Sequence, residues 1–382
     1  MIEEKYKKNY DEFIKQYKEI HICPWHNISE EELNEIYTKL INNMDVNDDS
    51  SFLYMMNYII KRLCGTTDAH TKVKYEDYLP LIFRIVENDV LVTYPNSIKN
   101  SSLVSINNVD IKKIMSEIDD VITYGTDGKK RFETEKYLFN RGLLFGLPSL
   151  KNDSSLKFEF KDNDGNYTEK VYDKNTNLND EEHFDHAEYL FGKNNTTYRI
   201  VNDSLIYIDS SLQYIFKDKI NTAIDNLRKE DLSKVNKIII DLRGNNGGNS
   251  SLNKPLIAFL KENKDKKIIA LTDYRVFSAG RYALIDLINL GATTIGEKIS
   301  TPINCFGNSH WIHIGDFTIS ISDSYFDPSK GIDIESKEDY IKRYDLLPPN
   351  IFTPDIPIKL TKKDYINGID RVLDIALSLD KK

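Results

Sequence analysis

Several absences narrow what this sequence can be. No run of about 18 apolar residues occurs in its 382 residues, so it offers no candidate membrane-spanning helix. Cysteine is scarce: Cys23, Cys64 and Cys305 are far apart and odd in number. That spacing supplies neither a disulfide framework nor a zinc knuckle, and each thiol reads as a core group. Positive charge is not in surplus, with Lys and Arg numbering 51 against 60 Asp and Glu, a net charge of −9. The lysines are interleaved with acids, so the phosphate contacts of a nucleic-acid binder have no footprint here. No internal repeat or low-complexity tract is present, and the opening residues alternate charge and aromatics without an apolar stretch of signal-peptide length. With Met1 as the natural start, the expected location is cytoplasmic; removal of a signal peptide would make it extracytoplasmic.

What is present is the composition of a globular chain. Hydrophobic residues make up 40% and charged residues 29%, and 23 Tyr with 17 Phe supply large surfaces for burial. The length predicts two or three folding units. Residues 1–75 read as a helical N-terminal segment. Ser29 and Glu32 form a capping-box pattern ahead of Leu33, Ile36, Tyr37 and Leu40 at helical spacing. A second helix is expected from Phe52 to Leu63, stopped at Gly65. Residues 76–175 read as a β-rich insert, with strands at 79–86, 90–94 and 103–108, a helix at 111–118, and a hairpin of 156–160 with 167–172 around Asn163-Asp164-Gly165-Asn166. Residues 176–196 are a polar connection. From 197 to 382 the pattern becomes strand, helix, strand, helix, strand. The runs 237–242 (KIIIDL) and 267–272 (KIIALT) are continuously apolar, as buried parallel strands require.

Sites in parallel-sheet proteins form where strand C-termini meet helix N-termini. Two such junctions carry chemistry. Asp241-Leu242-Arg243-Gly244-Asn245-Asn246-Gly247-Gly248 follows one strand. Its glycines leave bare backbone that can aim N–H groups into a cleft, as an oxyanion hole needs, although a plain tight turn reads the same way. The Gly-Lys-Ser/Thr ending of a phosphate loop is missing. The second junction, Tyr274 to Gly280, places Ser278 between a strand and a helix. The hydroxyl there sits near a positive helix end; serine is also an ordinary N-cap. A nucleophilic serine needs a base. His183 and His186 lie in the polar connection, His310 and His313 flank Trp311, His21 and His26 stand early, and His70 follows an apolar helix. The residues alone do not choose among them.

These segments, taken together and in order, resemble a known family. Asp241–Gly248 is similar to a D-L-R-x-N-x-G-G loop, and Thr272–Ala279 to a T-x-x-x-x-F-S-A nucleophile segment. Thr294-Ile295-Gly296-Glu297 is similar to V-G-E, Asp68-Ala69-His70-Thr71 to D-G-H-T, Pro354-Asp355-Ile356 to P-D-I, and Ser105–Val109 to S-I-N-G-V. The family is that of the tail-specific (C-terminal processing) and tricorn-core serine peptidases. The resemblance implies an α/β fold with a Clp-protease/crotonase-like ββα core, a helical N-terminal segment and a small PDZ-like insert. It implies hydrolysis of peptide bonds in a peptide or protein substrate through an acyl-enzyme, with no metal and no cofactor. Ser278 matches the nucleophile and His70 the base, with Ala279 and Gly248 or Gly247 as oxyanion donors.

Two departures qualify the match. The lysine base of one branch falls at Pro302, which favours the histidine branch and leaves Lys298 only a reserve. The serine beside the histidine is Ala69, and the third acid has no matching residue; Asp345 is the nearest upstream carboxylate. The rival expectations are an inactive peptide-binding scaffold and a crotonase-like acyl-CoA enzyme.

Overall fold

A computed structural model describes residues 2–174, 196–208, 212–335 and 350–379. The chain forms two compact units: Met1–Phe184 with Asn304–Pro349, and Asp185–Ile303 with Asn350–Lys382.

The first unit opens with three helices, α1 (Glu4–Ile20), α2 (Glu30–Asn43) and α3 (Asp49–Cys64). In α1, Tyr6, Tyr10, Phe13 and Tyr17 recur at helical spacing and are buried. The expected capping box at Ser29 and Glu32 is formed in α2. Asp48 and Ser51 make a second one on α3, which Gly65 ends. A short strand β1 (Lys72–Lys74) follows. The β-rich stretch comprises β2 (Ile82–Val86), β3 (Asp89–Tyr94), β4 (Ser102–Ile106), β5 (Val109–Asp110), β6 (Ser155–Lys161) and β7 (Tyr167–Asp173). They form an antiparallel sheet in the order β2-β3-β4-β6-β7, with β5 on β4. The β6–β7 pair is the hairpin expected around Gly165.

Three helices intervene, α4 (Ile111–Asp119), α5 (Asp127–Tyr137) and α6 (Arg141–Leu144). The sequence pattern does not announce α5. Its buried face includes Lys129, Glu133 and Glu135, paired as Lys129–Glu133 at 2.7 Å and Arg84–Glu135 at 3.3 Å. The unit is completed from far along the chain. Strands β13 (Cys305–Ile314), β14 (Phe317–Asp327) and β15 (Ile332–Ile334) form a second antiparallel sheet, in which β1 pairs with β14.

The second unit is built on β8 (Thr197–Val201), β9 (Ser204–Ile208), β10 (Lys237–Asp241), β11 (Lys267–Thr272), β12 (Thr293–Gly296) and β16 (Ile356–Pro357). The strand order is β16-β12-β11-β10-β9-β8, parallel throughout except for the β8–β9 hairpin. Successive residues of β10 serve opposite faces. Ile238 and Ile240 pack with α7 (Lys217–Leu227), α8 (Lys254–Glu262) and α9 (Ala279–Asn289). Ile239 instead joins Val372 and Ala376 of α11 (Arg371–Ser378), which follows α10 (Lys362–Asn367). Burial on both faces is why the strands read as unbroken apolar runs.

Candidate active site

In the second unit the carboxyl ends of β10, β11 and β12 emerge at one edge of the sheet, because the three strands are parallel and adjacent. The loop after β10 and the turn after β11 are tied by one main-chain bond and one bond to a side chain. The Phe277 N–H donates to the Asn245 carbonyl at 3.0 Å, and the Gly244 N–H donates to Asp273 Oδ1 at 3.0 Å. Burial would raise the Asp273 carboxyl, but the Arg275 guanidinium and the N–H groups of Gly244 and Arg275 outweigh it and hold the group below its ordinary range. Arg243 anchors the loop from outside, bridging Asp241 at 2.8 Å and Asp370 at 2.7 Å.

Ser278 is half-buried and occupies the N-cap position of α9, yet its side chain makes no capping bond. Its backbone lies at φ 51° and ψ −118°. That conformation is strained for any residue with a Cβ, and strain of this kind at a strand-to-helix turn lifts a side chain clear of the helix. The turn is held by Thr301, whose Oγ1 accepts from the Ser278 N–H at 2.9 Å, and by Ser300, whose Oγ donates to the Val276 carbonyl at 2.9 Å.

The glycine loop closes directly against this turn. A Cβ on Gly247 would fall 2.8 Å from the Ala279 nitrogen and 2.8 Å from Ser278 Cβ, and one on Gly248 would fall 2.0 Å from the Leu212 carbonyl oxygen. Both positions also have positive φ, 91° and 133°. The Gly247 N–H donates to Asn245 Oδ1 at 3.1 Å. The N–H groups of Gly248 and Ala279 have no acceptor among the described residues. Ser278, Ala279, Gly247 and Gly248 are thus brought together within one unit, as the sequence pattern anticipates. Lys298 is exposed, while the next residues, Ile299 and Ser300, are buried.

His70 belongs to the first unit. It is 7% exposed, in the segment joining α3 to β1. Its ring lies beside β13, where a Cβ on Gly307 would come 3.5 Å from His70 Cε1. Its carbonyl accepts from Ser320 Oγ at 2.5 Å, and its N–H donates to Asp68 Oδ1 at 2.9 Å. Asp345, His183 and His186 lie outside the described residues. Asp355 of the P-D-I segment is an edge staple: its Oδ2 accepts from the Thr294 N–H and hydroxyl, both at 2.8 Å, which fixes β16 on β12. Among the described residues no group of three His, Cys, Asp or Glu is placed to hold a metal ion, and no helix is long and apolar enough to cross a membrane.

Two contributors escaped the sequence reading. Thr301 is recognisable only once the segment after β12 is seen to fold back under Ser278. Asp68 had a local signal, a carboxylate two and three residues before N–H groups it could cap.

No protein-family model matches the sequence, and no curated protein matches it. Solved structures do. Mature CPAF is 10% identical, with 97% of this chain and 96% of that chain covered at a TM-score of 0.64. Mature CPAF in complex with lactacystin is 11% identical, with 97% and 98% covered at 0.66. The photosystem II D1 C-terminal processing protease also aligns, at 12% identity, 96% and 97% coverage and a TM-score of 0.46. The chain therefore carries the fold of mature CPAF.

Proposed function

We propose that this chain is a serine peptidase acting through an acyl-enzyme, with Ser278 as nucleophile and His70 as general base. The observation that carries the reading is the Ser278 turn: a strained, uncapped serine on which the glycine loop closes too tightly for any side chain. A hydroxyl held out of the helix can attack a carbonyl, while the two amide donors beside it bind the oxygen that becomes negative. The N–H groups of Gly248 and Ala279 are taken as those donors, because that of Gly247 is engaged by Asn245. Each such donor contributes roughly 3 kcal/mol to the transition state. His70 takes the serine proton during attack and returns it to the leaving amine; water then releases the acyl group. On this reading the second unit is a crotonase-like core, the 76–175 stretch is a PDZ-like insert, and the substrate is a peptide or protein.

The test is covalent labelling with a fluorophosphonate probe, read by mass spectrometry. Wild type should gain one adduct on Ser278, Ser278→Ala none, and His70→Ala should label at least about 100-fold more slowly. Lactacystin, seen bound to mature CPAF, should block the same adduct. Wild type that stays unlabelled, or Ser278→Ala labelled at the wild-type rate, rejects the assignment.

A further inference from the structure

Behind His70 lies a buried carboxylate with an unusual set of partners. Asp68 is 0% exposed. Its Oδ1 accepts from the His70 N–H at 2.9 Å, the Thr71 N–H at 3.1 Å and Ser322 Oγ at 2.8 Å. Its Oδ2 faces His21 Nε2 at 3.1 Å and Cys64 Sγ at 3.6 Å. These donors come from the end of α1, the end of α3, the His70 segment itself and β14. No Lys or Arg pairs with it among the described residues.

The tautomer of His21 follows from its other nitrogen. The Cys23 N–H donates to His21 Nδ1 at 3.0 Å, so that atom presents a lone pair. The ring proton therefore sits on Nε2 and points at Asp68, and His21 is neutral. The contact resembles an ion pair in distance but leaves the carboxylate charge uncancelled.

We propose that Asp68 is the positioning residue for His70, fixing its main chain through the N–H bond and placing an uncancelled negative charge two residues from the imidazole. This deepens the proposed function and rests on His70 being its base. The charge favours the imidazolium that forms when His70 takes the serine proton. Burial alone would raise the Asp68 carboxyl, but its bonds to His21 and Thr71 hold it well below the usual carboxylate range, so it stays ionised wherever the enzyme would work. The other titratable groups around it include Tyr17, His26 and Cys64; burial pushes the Tyr17 hydroxyl up, so it is uncharged. The His26 ring stacks on His21 at 5.1 Å and faces the carbonyls of Cys23 and Cys64, and burial pushes its value down. Burial pushes the Cys64 thiol up, so it too is uncharged.

A side chain that only shaped the turn could be replaced by asparagine, which keeps an oxygen for the His70 and Thr71 N–H groups. Asp68→Asn removes the charge and sets an amide against the His21 donor. With p-nitrophenyl acetate as probe, kcat should fall about 10-fold or more with KM unchanged. The acid limb of kcat/KM should move about one pH unit lower, because the imidazolium loses its anion. Unchanged kcat and an unmoved acid limb, whatever happens to Tm, overturn the proposal. If Asp68→Asn does not fold, Ser322→Ala carries the test. It strips one donor from Oδ1 and should lower kcat about 3-fold without moving the acid limb; wild-type kcat in that variant overturns the positioning role. Fluorophosphonate labelling of wild type, run alongside, separates the two claims. Absent labelling rejects the peptidase reading, whereas normal labelling with unaffected variants rejects only the role of Asp68.

Discussion

The Ser278 turn is held by neutral hydrogen bonds and by close packing, and the His70 segment is gathered around one buried carboxylate. Around Ser278 the fixing contacts are a main-chain bond from Phe277 to Asn245 and the hydroxyls of Thr301 and Ser300, together with two glycines packed where no Cβ fits. Around His70 the fixing group is a buried carboxylate that gathers donors from four segments. The same contrast runs through the two units. The second is a parallel sheet with apolar packing on both faces. The first buries Asp68 and the Lys129–Glu133 pair, and puts a lysine, Lys72, beside that pair. A site fixed by close packing should fail when volume is added; one fixed by charge should fail when charge or pH changes.

The largest effect expected from this contrast is that of Gly247→Ala. The new methyl would meet the Ala279 nitrogen, the Phe277 carbonyl oxygen and Ser278 Cβ, each at 2.8 Å. Displacing the turn by about 1 Å should slow fluorophosphonate labelling about 100-fold, with the circular dichroism spectrum retained. Labelling within a few-fold of wild type would break the comparison.

Thr301→Val asks how much the side-chain acceptor of the Ser278 N–H matters. It leaves the Ser278 N–H without the 2.9 Å partner that Thr301, itself 2% exposed, supplies. A loss of about 1–3 kcal/mol in urea unfolding is expected, with labelling about 10-fold slower.

Lys72 tests the charged side. Burial, with Lys129 and Lys136 adding to it, pushes its ammonium down to about 7. Between there and the ordinary lysine value of about 10.4, the unfolded chain holds a proton that the folded chain has released. Stability should therefore rise with pH across that window, and below about 7 the cost of the buried charge is fully present. Lys72→Met should be more stable than wild type at pH 6 and should lack the rise. Parallel profiles for the two proteins would contradict this. The smallest effect is that of Ser29→Ala, which removes the side-chain cap of α2. It should cost about 1 kcal/mol and leave labelling unchanged.

Much of the fold was legible because its signals are local. The capping box at Ser29 and Glu32, the hairpin turn at Gly165 and the apolar runs of β10 and β11 each state their structure within a few residues. The serine half of the site was legible for the same reason, since a glycine loop and a serine turn follow adjacent strands. The helix Asp127–Tyr137 was not, because its buried residues include Lys129, Glu133 and Glu135, whose burial depends on partners chosen in three dimensions. Nor was the membership of β13, β14 and β15 in the first unit. A strand pairing such as Lys72 with Ser320 crosses about 250 residues and leaves no trace in local pattern.

Taken by itself, the sequence determined the parallel sheet, the glycine loop and the serine that follows β11, because hydrophobic period and turn chemistry are properties of neighbours in the chain. Only the tertiary structure decided that Ser278 is strained rather than capping its helix, that the Gly247 N–H is spent on Asn245, and that Asp68 is buried beneath the His70 N–H. Those outcomes depend on which groups meet after folding, since strain, hydrogen-bond competition and the state of a buried charge are set by surroundings that no short stretch of chain contains.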